Sequence, residues 1–222
     1  MLAGGGHTHC LLLRRWIMRP AERPQATLVV LVNRSSTALY SGMVPGLVAG
    51  LYARDACAID LRDLCRRAGV VFLQAEITGL DPEAATLQLK GRPALRFDQL
   101  SLDVGCQTRG PLDGRALGVK PLEPFLAWLE QRLMELALAL RTRGLQPELL
   151  LRGDSLHLGS AAANRAGEQL LREAAIAVRR CVGPEVAAEL ACTGSEAPPW
   201  LAAAGLPVAP ESGRVLTDAS LR

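Results

Sequence analysis

The alternation of apolar and polar positions divides the chain into strand-length and helix-length segments. A short apolar run over residues 1–3 precedes a glycine turn, and a helical pattern follows over Thr8–Met18. The apolar, β-branched run Thr27–Asn33 then predicts a second strand. Strand, glycine turn, helix and strand in this order are typical of the βαβ unit of nucleotide-binding domains.

The segment up to residue 106 predicts further strands. Residues 34–50 are rich in Gly, Pro and small side chains, which is typical of a loop that wraps a ligand or of an ordinary crossover. The elements predicted after it are a helix over Ile59–Ala68 with Asp60 near its start and Gly69 as its C-cap, a strand over Val70–Glu76, a strand, turn and strand over Ile77–Leu89, and a buried strand over Phe97–Cys106. We therefore expect a parallel sheet with an antiparallel hairpin inserted before its later strand.

The second half of the chain repeats this order after a linker. Three glycines and two prolines mark residues 109–122 as the linker. The elements predicted beyond it are an amphipathic helix over Glu123–Arg143, a strand over Pro147–Leu151, a helix over Ala161–Ala174, and strands over Ile176–Cys181 and Val186–Gly194. The chain therefore predicts two domains of similar construction.

Composition narrows the class of protein. The 222 residues are 49% hydrophobic and 21% charged, which is typical of a globular protein. The balance of 25 basic and 22 acidic residues gives no support for nucleic acid as a partner. Apolar stretches are of strand length and are broken by charges, so no transmembrane helix is predicted. The N-terminus does not resemble a signal peptide, and we expect a cytoplasmic protein.

The six cysteines show no pattern of a functional site. They lie at positions 10, 57, 65, 106, 181 and 192, without a C-x-x-C pair or a spacing typical of metal ligands. We expect reduced and mostly buried thiols, no metal site and no thiol–disulfide mechanism.

The candidate chemistry lies at the first glycine turn. Glycines at this place let backbone amides at the start of a helix approach a pyrophosphate, although Gly4, Gly6 and His9 form G-x-G-x-x-H rather than the full G-x-G-x-x-G. His7 and His9 could donate to the phosphate or flavin, cap the helix or face solvent. At the end of the second strand, Asn33 or the neighbouring Arg34 is the candidate for contact with a ribose.

Three segments in the first half resemble, in their order, segments of a known superfamily. Gly4–His9 matches its pyrophosphate turn, Tyr40–Gly46 the loop along the flavin, and Phe97–Gly105 its "YDYLVIATG" strand. Ala191–Gly194 is similar to the second such strand, and Gly213–Arg222 to the segment that returns to the flavin domain. The chain thus resembles the pyridine nucleotide–disulfide oxidoreductases. The likeness is strongest to their type II NADH dehydrogenase-like branch and, within it, to the flavoprotein domain fused ahead of selenide, water dikinase in some bacteria.

This resemblance implies an α/β fold of two Rossmann-like dinucleotide-binding domains, the second of them truncated. The implied domains are an FAD-binding domain at 1–108, a linker at 109–122, an NAD(P)-binding-like domain without its glycine turn at 123–195, and a return segment at 196–222. The implied cofactor-binding residues are Gly4, Gly5, Gly6, His7, Thr8, His9, Asn33, Arg34, Ser41, Gly42, Met43, Val44, Pro45 and Gly105. No catalytic residue is assigned.

The activity that the resemblance implies is hydride transfer from NAD(P)H through FAD to an acceptor. The acceptor would be a small molecule or quinone-like compound, and a selenide, water dikinase domain would be a partner. A homodimer is compatible with the resemblance.

The chain departs from the superfamily in its second domain. The strand and glycine turn for the nicotinamide nucleotide are missing ahead of the segment Glu135–Leu140, and the chain ends before the final Gly-Asp motif. This departure leaves two alternatives to a working oxidoreductase. In the first, the chain is a non-catalytic remnant or scaffold that is associated with selenide, water dikinase. In the second, the sequence lacks residues of the protein between Leu133 and Met134.

Overall fold

The structure is a computed structural model that describes residues 1–48, 51–108, 117–118, 120, 146–152, 160–181, 190–191, 195–210 and 212–219. The described residues fall into two units. The first unit draws on residues 1–40, 58–109 and 193–222, and the second on residues 41–57 and 110–192.

Short strands and helices follow one another along the described chain. In chain order they are β1 (Leu2–Ala3), α1 (His7–Met18), a 3-10 turn (Pro20–Glu22), β2 (Val30–Asn33), β3 (Thr37–Leu39), a 3-10 turn (Ser41–Met43), α2 (Val44–Val48), a 3-10 turn (Arg54–Cys57), β4 (Ala58–Asp60), α3 (Leu61–Ala68), β5 (Val71–Gln74), β6 (Ile77–Asp81), β7 (Thr86–Leu89), β8 (Arg92–Arg96), β9 (Ser101–Leu102), β10 (Gln107–Thr108), β11 (Leu117–Gly118), β12 (Glu148–Arg152), α4 (Ala161–Glu173), β13 (Ala177–Cys181), β14 (Leu190–Ala191), β15 (Ser195–Glu196) and α5 (Pro199–Ala203).

A parallel sheet forms the centre of the first unit. Its strand order is β5-β2-β1-β9, and every neighbouring pair is parallel. The expected parallel sheet is therefore confirmed, although β2 and β9 are shorter than the predicted runs. β9 was predicted to be buried, but Ser101 is exposed and Leu102 is half-buried. Since β2 and β9 flank β1 and are reached by crossovers on either side of it, the carboxyl end of β1 lies at the point where strand order reverses. Open α/β sheets bind ligands at this point.

Both faces of the parallel sheet are covered. Leu31 lies in a buried cluster with Leu13 of α1 and Leu61 of α3, and all three are 0% exposed. The next residue, Val32, points to the opposite face and packs with Leu87 of the antiparallel sheet. A strand that is buried on both faces has a continuous apolar sequence, which explains the run that ends in Asn33.

Helix α3 begins two residues later than predicted, because Ile59 and Asp60 belong to β4, and it ends at Gly69 as predicted. The Asp60 carboxylate accepts hydrogen bonds from the N–H groups of Arg62 and Asp63, which makes it the N-cap. Gly69 adopts a left-handed conformation with φ of +67° and closes the helix.

The predicted hairpin forms, and two neighbouring segments differ from expectation. β6 and β7 pair antiparallel, and β8, which was not predicted, adds a third strand. The prediction of a plain loop over 34–50 is wrong for its described part, which contains β3 and α2. β3 pairs antiparallel with β4, about 20 residues later in the chain. A partner this distant leaves no local sequence signal.

The second unit contains a parallel strand–helix–strand segment. β12 and β13 pair parallel and are connected through α4, whose N-cap Ser160 accepts a hydrogen bond from the Ala163 N–H. β11 and β14 form another parallel pair. β12, α4, β13 and β14 agree with the predicted strands and helix of the second half, whereas β11 was not predicted and lies within the segment 109–122 that was predicted as a linker. The predicted helix over Glu123–Arg143, the Leu133–Met134 junction and most of the 109–122 linker lie outside the described residues.

Candidate functional site

The turn between β1 and α1 requires glycine at its first position. Gly4 has φ of +92°, and a Cβ there would lie 2.1 Å from the Asp103 carbonyl oxygen. Its N–H donates to the Val32 carbonyl oxygen at 2.8 Å. Gly4 therefore holds the turn against β2 on one side and against the residue after β9 on the other.

The second glycine is bonded to the side chain of Asn33. The Gly5 N–H donates to Asn33 Oδ1 at 2.9 Å, and Asn33 Nδ2 donates to the Ser35 carbonyl oxygen at 2.8 Å. The predicted candidate for ribose binding therefore lies beside the glycine turn, and both ends of its amide have protein partners. A contact from Asn33 to a ribose stays a prediction.

An acidic residue that the sequence reasoning did not select caps α1. The helix has no side-chain cap at Gly6 and no acidic residue in its first turn. Instead, Asp103 Oδ2 accepts from the His9 N–H at 3.0 Å, across 94 residues of sequence. The only sequence signal for this contact is an acidic residue at the end of a strand expected to neighbour β1.

Three successive amides at the start of α1 are left open. The N–H groups of Gly6, His7 and Thr8 have no hydrogen-bond partner among the residues that the structure describes. The N–H groups of a first helical turn point along the helix axis and carry the positive end of its dipole. This arrangement can bind an anionic group such as a phosphate.

The two histidines of the turn have opposite surroundings. His9 is 1% exposed, with Nδ1 2.7 Å from the Gly4 carbonyl oxygen and Nε2 2.9 Å from Ser101 Oγ. Because a carbonyl can only accept, Nδ1 carries a hydrogen and donates to Gly4, and Nε2 shares a hydrogen bond with the Ser101 hydroxyl. His7 is exposed, and its ring stacks on Tyr40 at a centroid separation of 5.2 Å.

The remaining candidate residues lie in different parts of the chain. Arg34 is exposed directly after β2, and its carbonyl oxygen accepts from the Gln74 side chain. Gly105 follows β9 with φ of +75° and has open space where a Cβ would stand. Ser41, Gly42, Met43, Val44 and Pro45 belong to the second unit, in a 3-10 turn and the start of α2. Contacts of all these residues with a cofactor stay predictions.

The described part of the chain shows neither a metal cluster nor a membrane-spanning helix. No group of three or more His, Cys, Asp or Glu side chains in it is arranged to hold a metal ion. Likewise, none of its helices combines the length and the apolar character needed to cross a bilayer.

Two buried cysteines beside the turn are poor nucleophiles. Burial raises the pKa of Cys10 to about 11, with a smaller contribution from the negative charge of Asp103. Burial raises the pKa of Cys65 to about 12, with a smaller contribution from Cys10. Since the thiolate is the reactive form, the raised pKa values lower the reactivity of both thiols, which pack in the buried cluster around Leu31.

Because the pKa values of Cys10 and Cys65 are raised, the free energy of unfolding depends on pH in the alkaline range. The folded pKa values exceed the unfolded value near 9, so the contribution to stability is complete below about pH 9 and is lost as pH rises through 11 and 12. We expect the free energy of unfolding, measured in urea, to fall over this range and to fall less in a Cys10→Ala/Cys65→Ala variant. At pH 8, iodoacetamide should modify both thiols in urea and neither in the folded protein. Modification of either thiol in the folded protein would contradict this.

Comparison with known proteins identifies the fold through structure alone. No protein-family model matches the chain, and no curated protein matches its sequence. An engineered water-forming NADPH oxidase solved with NADPH bound superposes with a TM-score of 0.80 at 17% identity, over 100% of this chain and 59% of its own. The sulfide:quinone oxidoreductase of Aquifex aeolicus gives 0.68 at 15% identity, over 98% and 63%. A ferredoxin reductase of Rhodopseudomonas palustris gives 0.71 at 16%, over 94% and 62%.

The chain spans less than two thirds of the length of each of these structures. At such low identity, what they have in common with the chain is the fold. The chain therefore has the Rossmann-type α/β fold of these three enzymes.

Proposed function

We propose that the chain is an FAD-binding oxidoreductase domain that passes electrons from NAD(P)H to an acceptor. The observation that carries the proposal is the set of open amides of Gly6, His7 and Thr8 at the start of α1. They lie at the carboxyl end of β1, where this sheet order binds ligands.

The residues of the turn fit a pyrophosphate. Gly5 and Gly6 have no side chain to cover the open amides, and the amides of Gly6, His7 and Thr8 would donate to the phosphate oxygens. The exposed His7 and Tyr40 rings adjoin the same turn and offer flat apolar surface to a ring system. When bound, FAD would supply an isoalloxazine ring that accepts hydride and passes electrons on.

The nicotinamide nucleotide and the acceptor are further parts of the proposal. The engineered oxidase was solved with NADPH bound, and the Aquifex aeolicus enzyme is named for its quinone acceptor. We therefore include NADH or NADPH as the electron donor and a small quinone-like compound as the acceptor. Asn33, Arg34, residues 41–45 and Gly105 are the remaining proposed cofactor contacts.

A second candidate function is a non-catalytic scaffold, with selenide, water dikinase as the proposed partner. The observation that favours it is the use of Asn33 and Asp103 to satisfy amides of the turn within the protein. A turn in which the Gly5 and His9 amides already have partners within the protein has less need of a ligand. This candidate predicts a stable fold that does not oxidise NAD(P)H, whether or not it retains FAD.

The deciding experiment is the visible spectrum of the purified protein before and after anaerobic NADH or NADPH. We expect a flavin spectrum, either as purified or after addition of FAD, that bleaches with one of the two nucleotides. We also expect FAD to bind at least about tenfold more tightly than riboflavin, because riboflavin lacks the pyrophosphate that the helix terminus would hold.

Two other results would count against the proposed oxidoreductase. A folded protein that has no affinity for FAD contradicts the proposal. A protein that retains FAD but leaves NAD(P)H unoxidised in the presence of a quinone or dye acceptor supports the scaffold instead.

A further inference from the structure

Asp103 touches the phosphate-binding turn at two places. Its backbone is fixed to β1, because its N–H donates to the Ala3 carbonyl oxygen at 2.8 Å. Its side chain crosses to α1 and accepts from the His9 N–H at 3.0 Å. The carboxylate lies so close to Gly6 that a Cβ there would stand 2.2 Å from Asp103 Oδ1.

The Asp103 carboxylate therefore occupies part of the anion-binding end of α1. A helix N-terminus stabilises a negative charge, and here the protein supplies one of its own. An anion bound to the amides of Gly6, His7 and Thr8 would lie within a few ångströms of that carboxylate. Like charges at such a distance repel each other, and the His9 amide is no longer available to a ligand.

We propose that Asp103 is an affinity-determining residue of this turn, a built-in anion that lowers its affinity for pyrophosphate-containing ligands. This inference rests on the proposed function, since it assumes that the turn binds a dinucleotide. Asp103 stabilises the turn without ligand and opposes the phosphates when they bind. Asp103 therefore increases the stability of the unliganded protein and decreases its affinity for phosphate-containing ligands.

The test compares Asp103→Asn with the wild-type chain in binding FAD and ADP. The asparagine carbonyl can still accept from the His9 N–H, but the negative charge is gone. We expect Asp103→Asn to bind both ligands about tenfold more tightly and to unfold at a lower temperature. For each ligand, the ratio of the affinity of Asp103→Asn to that of the wild type should fall towards one as salt concentration rises, because salt screens the repulsion.

Three controls keep the test specific. Asp98→Asn makes the same charge change at an exposed position and should leave both affinities unchanged. Riboflavin, which has no phosphate, should bind the wild type and Asp103→Asn equally. Asp103→Ser, which replaces the carboxylate by a smaller uncharged side chain, provides a second neutral variant if Asp103→Asn does not fold.

The outcomes separate the inference from the proposed function. If the wild type and the neutral variants bind FAD and ADP equally tightly, or the neutral variants bind them more weakly, Asp103 has a structural role only and the inference fails while the proposed function stands. An equal gain in Asp98→Asn would show a general charge effect and would also overturn the inference. If no variant binds FAD or ADP, both proposals fail.

Discussion

Replacement of Gly4 by alanine is expected to lower the free energy of unfolding by more than about 4 kcal/mol, an effect large enough to prevent stable folding. Gly4 combines φ of +92° with a backbone contact, since the new methyl group would lie 2.1 Å from the Asp103 carbonyl oxygen. The carbonyl belongs to a segment paired with β1 and cannot rotate away as a side chain could. Urea denaturation of the purified variant measures the loss.

Gly91→Ala is the matched control for this prediction. Gly91 also has a positive φ, +65°, but nothing lies within 4 Å of its added Cβ. The free energy of unfolding of Gly91→Ala should fall only by the cost of placing a residue with a Cβ in a left-handed conformation, about 1 kcal/mol. Similar losses in the two variants would show that the contact with Asp103 does not constrain the turn.

Replacement of His9 by alanine should lower the free energy of unfolding by about 3–5 kcal/mol. The substitution removes a buried ring from beneath the turn and leaves the Gly4 carbonyl and the Ser101 hydroxyl without their present partner. Chemical denaturation again measures the loss. An intact flavin spectrum is not expected in the variant, because the ring supports the backbone of the turn that we propose to hold the pyrophosphate.

His7→Ala is the control, two residues earlier on the same helix. His7 is exposed and contacts Tyr40 by stacking, so its loss should change the free energy of unfolding by less than about 1 kcal/mol. Equal destabilisation by the two substitutions would mean that the hydrogen bonds of the His9 ring do not stabilise the turn.

The buried face of α1 explains why the sequence could not distinguish the two histidines. His9 lies on the same buried side of the helix as Leu13 and Trp16, whereas His7 lies outside this buried side. A histidine on an apolar face is compatible with a ligand contact as well as with packing, as long as its neighbours are unknown. Ser101 becomes its neighbour only when β1 and β9 pair.

The sequence by itself determined the features that depend on local patterns. The first strand, the glycine turn, helix α1, the hairpin and the Gly69 cap of α3 were all predicted. Each of them follows from hydrophobic periodicity or from a residue with a special conformational preference, and both act over a few neighbouring residues. The fold class followed from the order of these elements.

Tertiary structure alone decided how the glycine turn is completed. Asp103 bonds to His9, 94 residues away in sequence, and Asn33 bonds to Gly5, 28 residues away. β3 pairs with β4, which follows the predicted loop in sequence. No local pattern encodes such contacts, because they form only when separate strands pair and bring their ends together. The amides left for a ligand therefore depend on sheet pairing, although the glycines that expose them are evident in the sequence.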